Sequence, residues 1–120
     1  MYLSIVIPVY NDEEVIHELI HRLAPVAQSI SEDNYEVVLI DDYSQDNSWT
    51  VILEEKSVHS NIVAVKLARN VGQQNAIAAG LSIASGDIIV LMDSDLQDRP
   101  EDIPVLIKAL EDNNSSMAIA

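Results

Sequence analysis

Two aspartates separated by one residue are the part of this sequence best suited to chemistry. Asp93 and Asp95 directly follow the apolar stretch Ile88–Met92. In an extended or tightly turned segment, two carboxylates at this spacing can converge on one cation. Hard oxygen ligands favour Mg²⁺ or Mn²⁺, which complete their shell with substrate phosphates and water, and the amide oxygen of Gln97 could add a third ligand. The pattern predicts a divalent metal site; its alternative is a solvated acidic loop in which Asp98 caps the following helix.

Further residues could recognise a nucleotide. Asp41 and Asp42 follow the apolar stretch Glu36–Ile40, and their carboxylates could accept hydrogen bonds from a nucleobase or from ribose hydroxyls. The alternative for this pair is an Asx-type turn. Tyr10 offers a ring on which a base could stack, although a half-buried tyrosine at a strand end is equally ordinary. Arg69 could contact a diphosphate or could neutralise neighbouring carboxylates.

The glycine pattern and the net charge limit how phosphate could be bound. A dinucleotide-binding fingerprint or a P-loop needs glycines right after the first strand, and residues Pro8–Asp12 contain none. The chain of 120 residues carries a formal net charge of −14, which argues against nucleic acid or an anionic membrane surface as the main partner. We therefore expect any phosphorylated ligand to be held through a divalent cation that screens both sets of negative charge.

A second motif points to different chemistry. Residues His17–His21 read His-Glu-Leu-Ile-His, the zinc-metalloprotease pattern in which two histidines bind zinc and the glutamate acts as the base. On a helical wheel both histidines fall opposite the apolar side that contains Leu19 and Leu23, so we expect them to face solvent. Arg22, beside the second histidine, would place a positive charge next to the zinc ion in a buried cleft, which is unfavourable. We interpret the match as surface histidines and keep a zinc protease as an alternative.

Short apolar stretches alternate with segments of helical spacing. Near-continuous hydrophobicity predicts strands covered on both faces, as in a parallel sheet, at Leu3–Val9, Glu36–Ile40, Ile62–Leu67, Ile88–Met92 and Met117–Ala120. Helical spacing predicts four helices: over about Asp12–Ile30, from Asn47 or Ser48, over about Gln73–Ala84, and from Pro100 to about Asn113. This alternation predicts an α/β fold with an open, mostly parallel sheet flanked by helices on both faces.

Particular residues should start, pack or end these helices. The carboxylates of Asp12–Glu14 are expected in the first turn of the first helix, where they favour the positive end of its dipole. Gly80 lowers the stability of the third helix, so we expect it to permit close packing against the sheet, and Gly86 is expected to cap that helix. The second helix should bury three apolar side chains, those of Trp49, Ile52 and Leu53.

The predicted topology brings the polar residues together. In an open parallel sheet, ligands bind beyond the carboxyl ends of the strands, near the point where strand order reverses. We expect one domain over residues 1–120. Because the chain ends within an apolar strand, we expect it to be part of a longer one. No apolar stretch approaches the roughly 18 residues that cross a bilayer, and the absence of cysteine excludes disulfides and thiolate zinc sites.

Four ordered segments resemble one enzyme family. They are Ile5–Glu14, Leu39–Ser44, Arg69–Gln73 and Asp93–Asp98, and the resemblance covers the whole chain. Their order is similar to that in the family 2 inverting glycosyltransferases of the GT-A fold, most of all in the polyprenyl-phosphate sugar transferases such as dolichyl-phosphate mannosyltransferases and bactoprenol glucosyltransferases. The resemblance implies a nucleotide-diphospho-sugar transferase fold in which residues 1–120 form the donor-binding part.

The resemblance also implies roles for single residues. Asp41 would contact the base, with Asp42 as the less favoured alternative. Asp93, Asp95 and Gln97 would bind Mg²⁺ or Mn²⁺ that bridges the donor diphosphate. Contacts to the nucleotide sugar would come from Pro8, Tyr10, Asp12, Asp41, Asp42, Arg69, Asp93, Ser94 and Asp95.

The implied reaction moves a sugar from a UDP- or GDP-linked donor to a polyprenyl phosphate or a glycan. The nucleoside diphosphate would leave the anomeric carbon in one inverting step, with the metal acting as a Lewis acid. The catalytic groups of the acceptor half are expected beyond residue 120, so the chain alone could bind the donor without turning it over. Relatives of this kind serve cell-envelope polysaccharide synthesis, often at the cytoplasmic face of a membrane, so we expect a cytoplasmic protein. It could also form homo-oligomers.

Besides the zinc protease, two other functions stay open from the sequence. One is a non-catalytic nucleotide-binding or regulatory module that shares the fold. The other is a phospho-acceptor receiver domain, because receiver domains are also acidic, α/β and about this long. A receiver domain requires an acidic cluster at the first strand and a lysine after the fifth.

Overall fold

The computed structural model describes residues 1–112 and 117–119, and within them five strands alternate with four α-helices. The strands are β1 (Leu3–Val9), β2 (Tyr35–Asp41), β3 (Ile62–Lys66), β4 (Ile88–Leu91) and β5 (Met117–Ile119). The helices are α1 (Ile16–Ser31), α2 (Ser48–Val58), α3 (Gln73–Ile83) and α4 (Ile103–Asp112), and a 3₁₀ turn at Pro100–Asp102 precedes α4. This order confirms the predicted α/β class. Asn113 and Ala120, at the predicted ends of the fourth helix and fifth strand, lie outside the described residues.

All five strands are parallel and form one sheet in the order β3-β2-β1-β4-β5. The chain builds outward from β1 to β2 and β3 on one side, and then places β4 and β5 on the other. Strand order therefore reverses between β1 and β4. Pairing of these two strands stops at Val6↔Leu91, three residues before β1 ends at Val9. The segment after β4 thus leaves the sheet beside the last residues of β1.

Helices cover both faces of the sheet, as predicted. Every residue of β1 and β2 is buried, which explains their near-continuous hydrophobicity. One face packs against α1, α2 and α4 through side chains such as Leu19, Ile52 and Ile103, while α3 covers the other face. Over residues 1–112 and 117–119, no helix has the length and apolarity needed to span a bilayer.

The start of α1 differs from the prediction. Asp12–Glu14 lie in turns before the helix, which begins at Ile16. The backbone N–H of Asp12 donates to Ser48 Oγ at 2.9 Å, and the backbone N–H of Glu13 donates to Asp46 Oδ2 at 3.2 Å. These bonds to the loop before α2 and to the first residue of α2 hold the segment out of the helix. Asp12 is thereby available at the edge of the sheet.

Two details of α2 and α3 also differ. Leu53 is 44% exposed, because it follows Ile52 by about 100° around α2 and only Ile52 faces the core. Helix α3 ends at Ile83, and its C-cap is Ala84 rather than Gly86. A Cβ at Gly86 would lie 2.5 Å from Ser4 Oγ, so this glycine serves a close approach of the chain to β1.

The predicted role of Gly80 is confirmed. A Cβ at this position would lie 2.5 Å from Ile40 Cδ1 and 2.6 Å from Val6 Cγ1. Both partners belong to the central strands, β1 and β2. Helix α3 therefore touches the sheet through a residue without a side chain, and this contact fixes the distance of the helix from the strands.

Candidate functional site

A cavity of about 390 Å³ opens at the carboxyl ends of the strands, where strand order reverses. Its wall combines residues from the end of β1, the end of β2, the loop before α3 and the segment after β4. This arrangement confirms that separate turns of the chain meet at a common rim. The lining residues are Pro8, Val9, Tyr10, Asp12, Asp42, Asn70, Gly72, Gln73, Asp93, Ser94 and Asp95.

Asp93 and Asp95 each use one carboxylate oxygen within the protein. Gln73 Nε2 donates to Asp93 Oδ1 at 2.9 Å, and the backbone N–H of Gln97 donates to Asp95 Oδ1 at 3.1 Å. In the described part of the chain, neither Oδ2 atom has a hydrogen-bond donor. The backbone N–H of Asp93 donates to Asp98 Oδ2 at 3.1 Å, so Asp98 shapes this loop instead of capping the helix that follows. The site presents two free carboxylate oxygens.

The electrostatics of this loop favour a cation. Partial burial raises the pKa of the Asp93 carboxyl, and the carboxylates of Asp98, Asp95 and Asp12 raise it further, while the hydrogen bond from Gln73 opposes the rise. Among the described residues, no lysine, arginine or histidine forms an ion pair with these carboxylates. Their negative charge is uncompensated by the protein, which is the condition that a bound divalent ion relieves.

The residues present fit an ion that arrives with its ligand. No three histidine or acidic side chains converge into a metal cage within residues 1–112 and 117–119. Mg²⁺ and similar ions need only one or two carboxylates when phosphates and water complete the shell, and Asp93 with Asp95 meets that need. Gln97 is exposed and lies outside the cavity wall, so its predicted part as a ligand stays a prediction.

The two aspartates after Ile40 have different surroundings. Asp41 is fully buried and accepts hydrogen bonds from Ser44 Oγ at 2.5 Å and Ser44 N at 3.3 Å, which is the turn anticipated as its alternative. Asp42 lines the cavity and accepts the backbone N–H groups of Val71 at 2.8 Å and Gly72 at 3.0 Å. Asp42 is itself only 3% exposed, but it lines the cavity whereas Asp41 does not, so the geometry favours Asp42 over Asp41 for a contact with a ligand there.

Residues after β1 and β4 join across the cavity. Asp12 Oδ2 accepts a hydrogen bond from the hydroxyl of Ser94, a residue that is only 4% exposed. The backbone N–H of Tyr10 also points to this oxygen, at 3.4 Å. The Tyr10 ring itself is 46% exposed at the rim, where a flat ligand could stack on it. Pro8, Tyr10, Asp12 and Ser94 therefore lie where the sequence placed them.

The segment Arg69–Gln73, which ends at the first residue of α3, supplies wall residues for which the sequence predicted no individual role. Arg69 is exposed and outside the wall, so its proposed contact with a diphosphate stays a prediction. Asn70, Gly72 and Gln73 line the cavity instead. Asn70 Nδ2 donates to the carbonyl oxygen of Asp42 at 3.2 Å. The available signal was a glycine followed by a polar residue at a helix start on the binding edge of the sheet.

The histidines of the zinc-protease pattern lie elsewhere. His17 and His21 are exposed on α1, which confirms that they face solvent. The His17 ring pairs with Glu55 of α2, and its Nε2 is 3.4 Å from Glu54 Oε2. These contacts join two helices on the outside of the molecule, away from the cavity.

The His17 pair predicts a small pH dependence of stability. Its hydrogen bond to Glu55 is the main cause that raises the pKa of His17 in the folded state. A raised histidine pKa stabilises the fold below the unfolded value of about 6.5, and this stabilisation disappears as the pH rises through the folded pKa. We expect His17→Gln to lower the free energy of unfolding by under about 1 kcal/mol at acidic pH, since the pair is exposed, and by less at alkaline pH.

Urea denaturation at about pH 5.5 and about pH 9 measures this difference, on either side of the ordinary histidine range. His21→Gln, on the same helix, is the matched control. Equal losses for His17→Gln at both pH values would contradict the pairing.

Comparison with known proteins identifies a family and solved structures with a similar fold. The family model described as "Glycosyl transferase family 2" matches residues 4–120. The mannosyltransferase PcManGT from Pyrobaculum calidifontis, solved in complex with GDP-Man and Mn²⁺, has a TM-score of 0.79 at 24% identity, over 90% of this chain and 32% of that one.

Structures of TarS from S. aureus are also similar. TarS 1-349 has a TM-score of 0.76 at 27% identity, over 95% of this chain and 33% of that one. Its complex with UDP-GlcNAc has a TM-score of 0.75 at 29% identity, over 94% of this chain and 32% of that one. The chain thus spans about a third of the length of the solved structures that it matches.

Proposed function

This chain belongs to glycosyl transferase family 2, and we propose that its cavity binds the nucleoside diphosphate sugar that serves as donor in a glycosyl transfer. One observation carries the proposal. A stacking ring, Tyr10, and a hydrogen-bond acceptor, Asp42, share a cavity of about 390 Å³ with the carboxylates of Asp93 and Asp95. A base would occupy the first pair and a diphosphate the second.

The base end can recognise N–H donors. Each oxygen of Asp42 accepts one backbone N–H, from Val71 and Gly72, and an ionised carboxylate has about four acceptor positions in all. Asp42 is only 3% exposed but lines the cavity, so we propose that its remaining acceptor positions on that side bind N–H groups of a uracil or a guanine. Tyr10 would stack on the base from the rim. GDP-Man is bound in PcManGT and UDP-GlcNAc in TarS, which supports both donor types as candidates.

The other end of the cavity offers negatively charged ligands for a cation. Asp93 and Asp95 would hold Mg²⁺ or Mn²⁺ through their unpaired oxygens, with Gln97 as a further candidate ligand. When bound, such an ion supplies Lewis-acid stabilisation of the departing diphosphate. The protein's own contribution is to fix the two carboxylates and to tie Ser94 to Asp12, so that the wall of the cavity is formed before the ligand arrives. Mn²⁺ in the PcManGT complex supports a divalent ion in this fold.

The acceptor and the setting of the reaction extend the proposal. An inverting displacement to a polyprenyl phosphate or a glycan, at the cytoplasmic face of a membrane, is supported by the resemblance of the four sequence segments. A lipid phosphate is already anionic and needs little help from a general base, whereas a hydroxyl acceptor needs one. A comparison of sugar-transfer activity between this chain and a chain of the full length of its relatives tests whether residues 1–120 transfer the sugar on their own. Activity of the longer chain alone would identify residues 1–120 as a donor-binding part, and activity of both would identify a complete transferase.

The donor proposal predicts different results for neighbouring aspartates. We expect Asp42→Asn to lower the affinity for UDP and GDP by about tenfold. An amide has only one acceptor oxygen, whereas the N–H groups of Val71 and Gly72 each bind a separate oxygen of Asp42. Asp41→Asn, in the buried turn behind the wall, should leave nucleotide affinity within about twofold while it lowers stability. Isothermal titration with UDP and with GDP in the presence of Mn²⁺ measures both. A loss of affinity in Asp41→Asn without one in Asp42→Asn would contradict this assignment of the base contact.

A further inference from the structure

A short loop connects the two ends of the cavity. Asp42, at the base end, holds the backbone N–H groups of Val71–Gly72 at 2.8 and 3.0 Å. The next residue is Gln73, whose Nε2 donates to Asp93 Oδ1 at 2.9 Å. Three consecutive residues therefore carry a chain of hydrogen bonds from the aspartate that would contact the base to the aspartate that would contact the ion.

The loop is held in one conformation. Gly72 has φ of +91°, a left-handed value that side-chain-bearing residues rarely adopt, and it immediately precedes α3. Helix α3 is fixed on the sheet through Ala76 and Gly80, both fully or nearly fully buried. Gln73 is the first residue of this helix, so its amide projects into the cavity from a rigid support.

The amide of Gln73 determines which oxygen of Asp93 is free. It occupies Oδ1, and in the described residues Oδ2 receives no protein donor. The carboxylates of Asp98, Asp95 and Asp12 repel that of Asp93. A neutral amide can hold the carboxylate against this repulsion, whereas a lysine would neutralise it and compete with the metal ion for it.

We propose that Gln73 is a positioning residue that holds Oδ1 of Asp93 and so leaves its other oxygen free for the ion. This inference rests on the proposed donor site.

The test compares Gln73→Ala with Gln74→Ala. Gln74 is the next residue of α3, is exposed and does not line the cavity, so its variant matches the change in chemistry and helix position. Free Mn²⁺ is measured by electron paramagnetic resonance during titration, without nucleotide and with saturating UDP or GDP. Binding of uridine and guanosine without metal is measured in parallel by calorimetry.

We expect Gln73→Ala to weaken Mn²⁺ binding in the presence of UDP or GDP by about tenfold, as is typical when a hydrogen bond that orients a metal ligand is removed. Uridine and guanosine affinities should not change, and Gln74→Ala should behave as the wild type. Equal Mn²⁺ affinities in the two variants would overturn the inference, and so would a loss of nucleoside binding as large as that of Mn²⁺. If the wild type binds UDP and GDP equally well with and without Mn²⁺, the proposed metal-dependent donor site itself is wrong.

Discussion

Replacing both Asp93 and Asp95 by asparagine should abolish the Mn²⁺-dependent part of nucleotide binding. The change keeps the shape of both side chains but removes the two charges that the ion would neutralise. We expect the affinity for UDP or GDP in the presence of Mn²⁺ to fall by about 100-fold, to the level that the wild type shows with a chelator. Isothermal titration with Mn²⁺ and with EDTA measures both values.

A control must match the change in net charge. Glu32→Gln with Asp33→Asn removes two negative charges from exposed residues just before β2, at the amino ends of the strands and so opposite the cavity. This variant should keep the Mn²⁺ dependence of the wild type. An unchanged Mn²⁺ dependence after replacement of Asp93 and Asp95 would refute the cation site, and an equal loss in the control would assign the effect to net charge alone.

Replacing Gly80 by valine should cause a large loss of stability, because this residue is where α3 packs directly on the sheet. The added Cβ would start 2.5 Å from Ile40 Cδ1 and 2.6 Å from Val6 Cγ1, and its two methyl groups would push the helix from the sheet. We expect a loss of about 2–3 kcal/mol in the free energy of unfolding, measured by urea denaturation.

Ala78→Val supplies the comparison, because Ala78 is exposed on the same helix. It carries only the lower helix propensity of valine, about 0.6 kcal/mol. Similar losses for the two variants would show that α3 does not touch the sheet as closely as the structure has it. Because α3 begins at Gln73, we also expect Gly80→Val to weaken Mn²⁺-dependent nucleotide binding.

The sheet and its binding edge were predictable because they depend on simple periodicities. Fully buried strands read as continuous apolar stretches, and parallel strands place their carboxyl ends at one edge. The start of α1 was not predictable in this way. Asp12 is bonded to Ser94, 82 residues away, and to Ser48, 36 residues away, and no local pattern reports such bonds.

The choice between Asp41 and Asp42 shows the same limit at the site. Adjacent residues at a strand end point in different directions, and the sequence does not say which one faces the cavity. Two backbone N–H groups of the distant loop Val71–Gly72 fix Asp42 in the wall, whereas Asp41 turns inward to Ser44. Gln73 was missed because its importance lies only in its contact with Asp93. The match to glycosyl transferase family 2 argues against the receiver-domain and protease alternatives, which no local motif had excluded.

The most direct measurement is the crystal structure of the chain grown with Mn²⁺ and a nucleoside diphosphate, with the ion located by its anomalous scattering. We expect one manganese in contact with carboxylate oxygens of both Asp93 and Asp95 and with the diphosphate, while the base stacks on Tyr10 beside Asp42. A manganese bound elsewhere, such as at His17 and Glu55, or a nucleotide outside this cavity, would contradict the donor site.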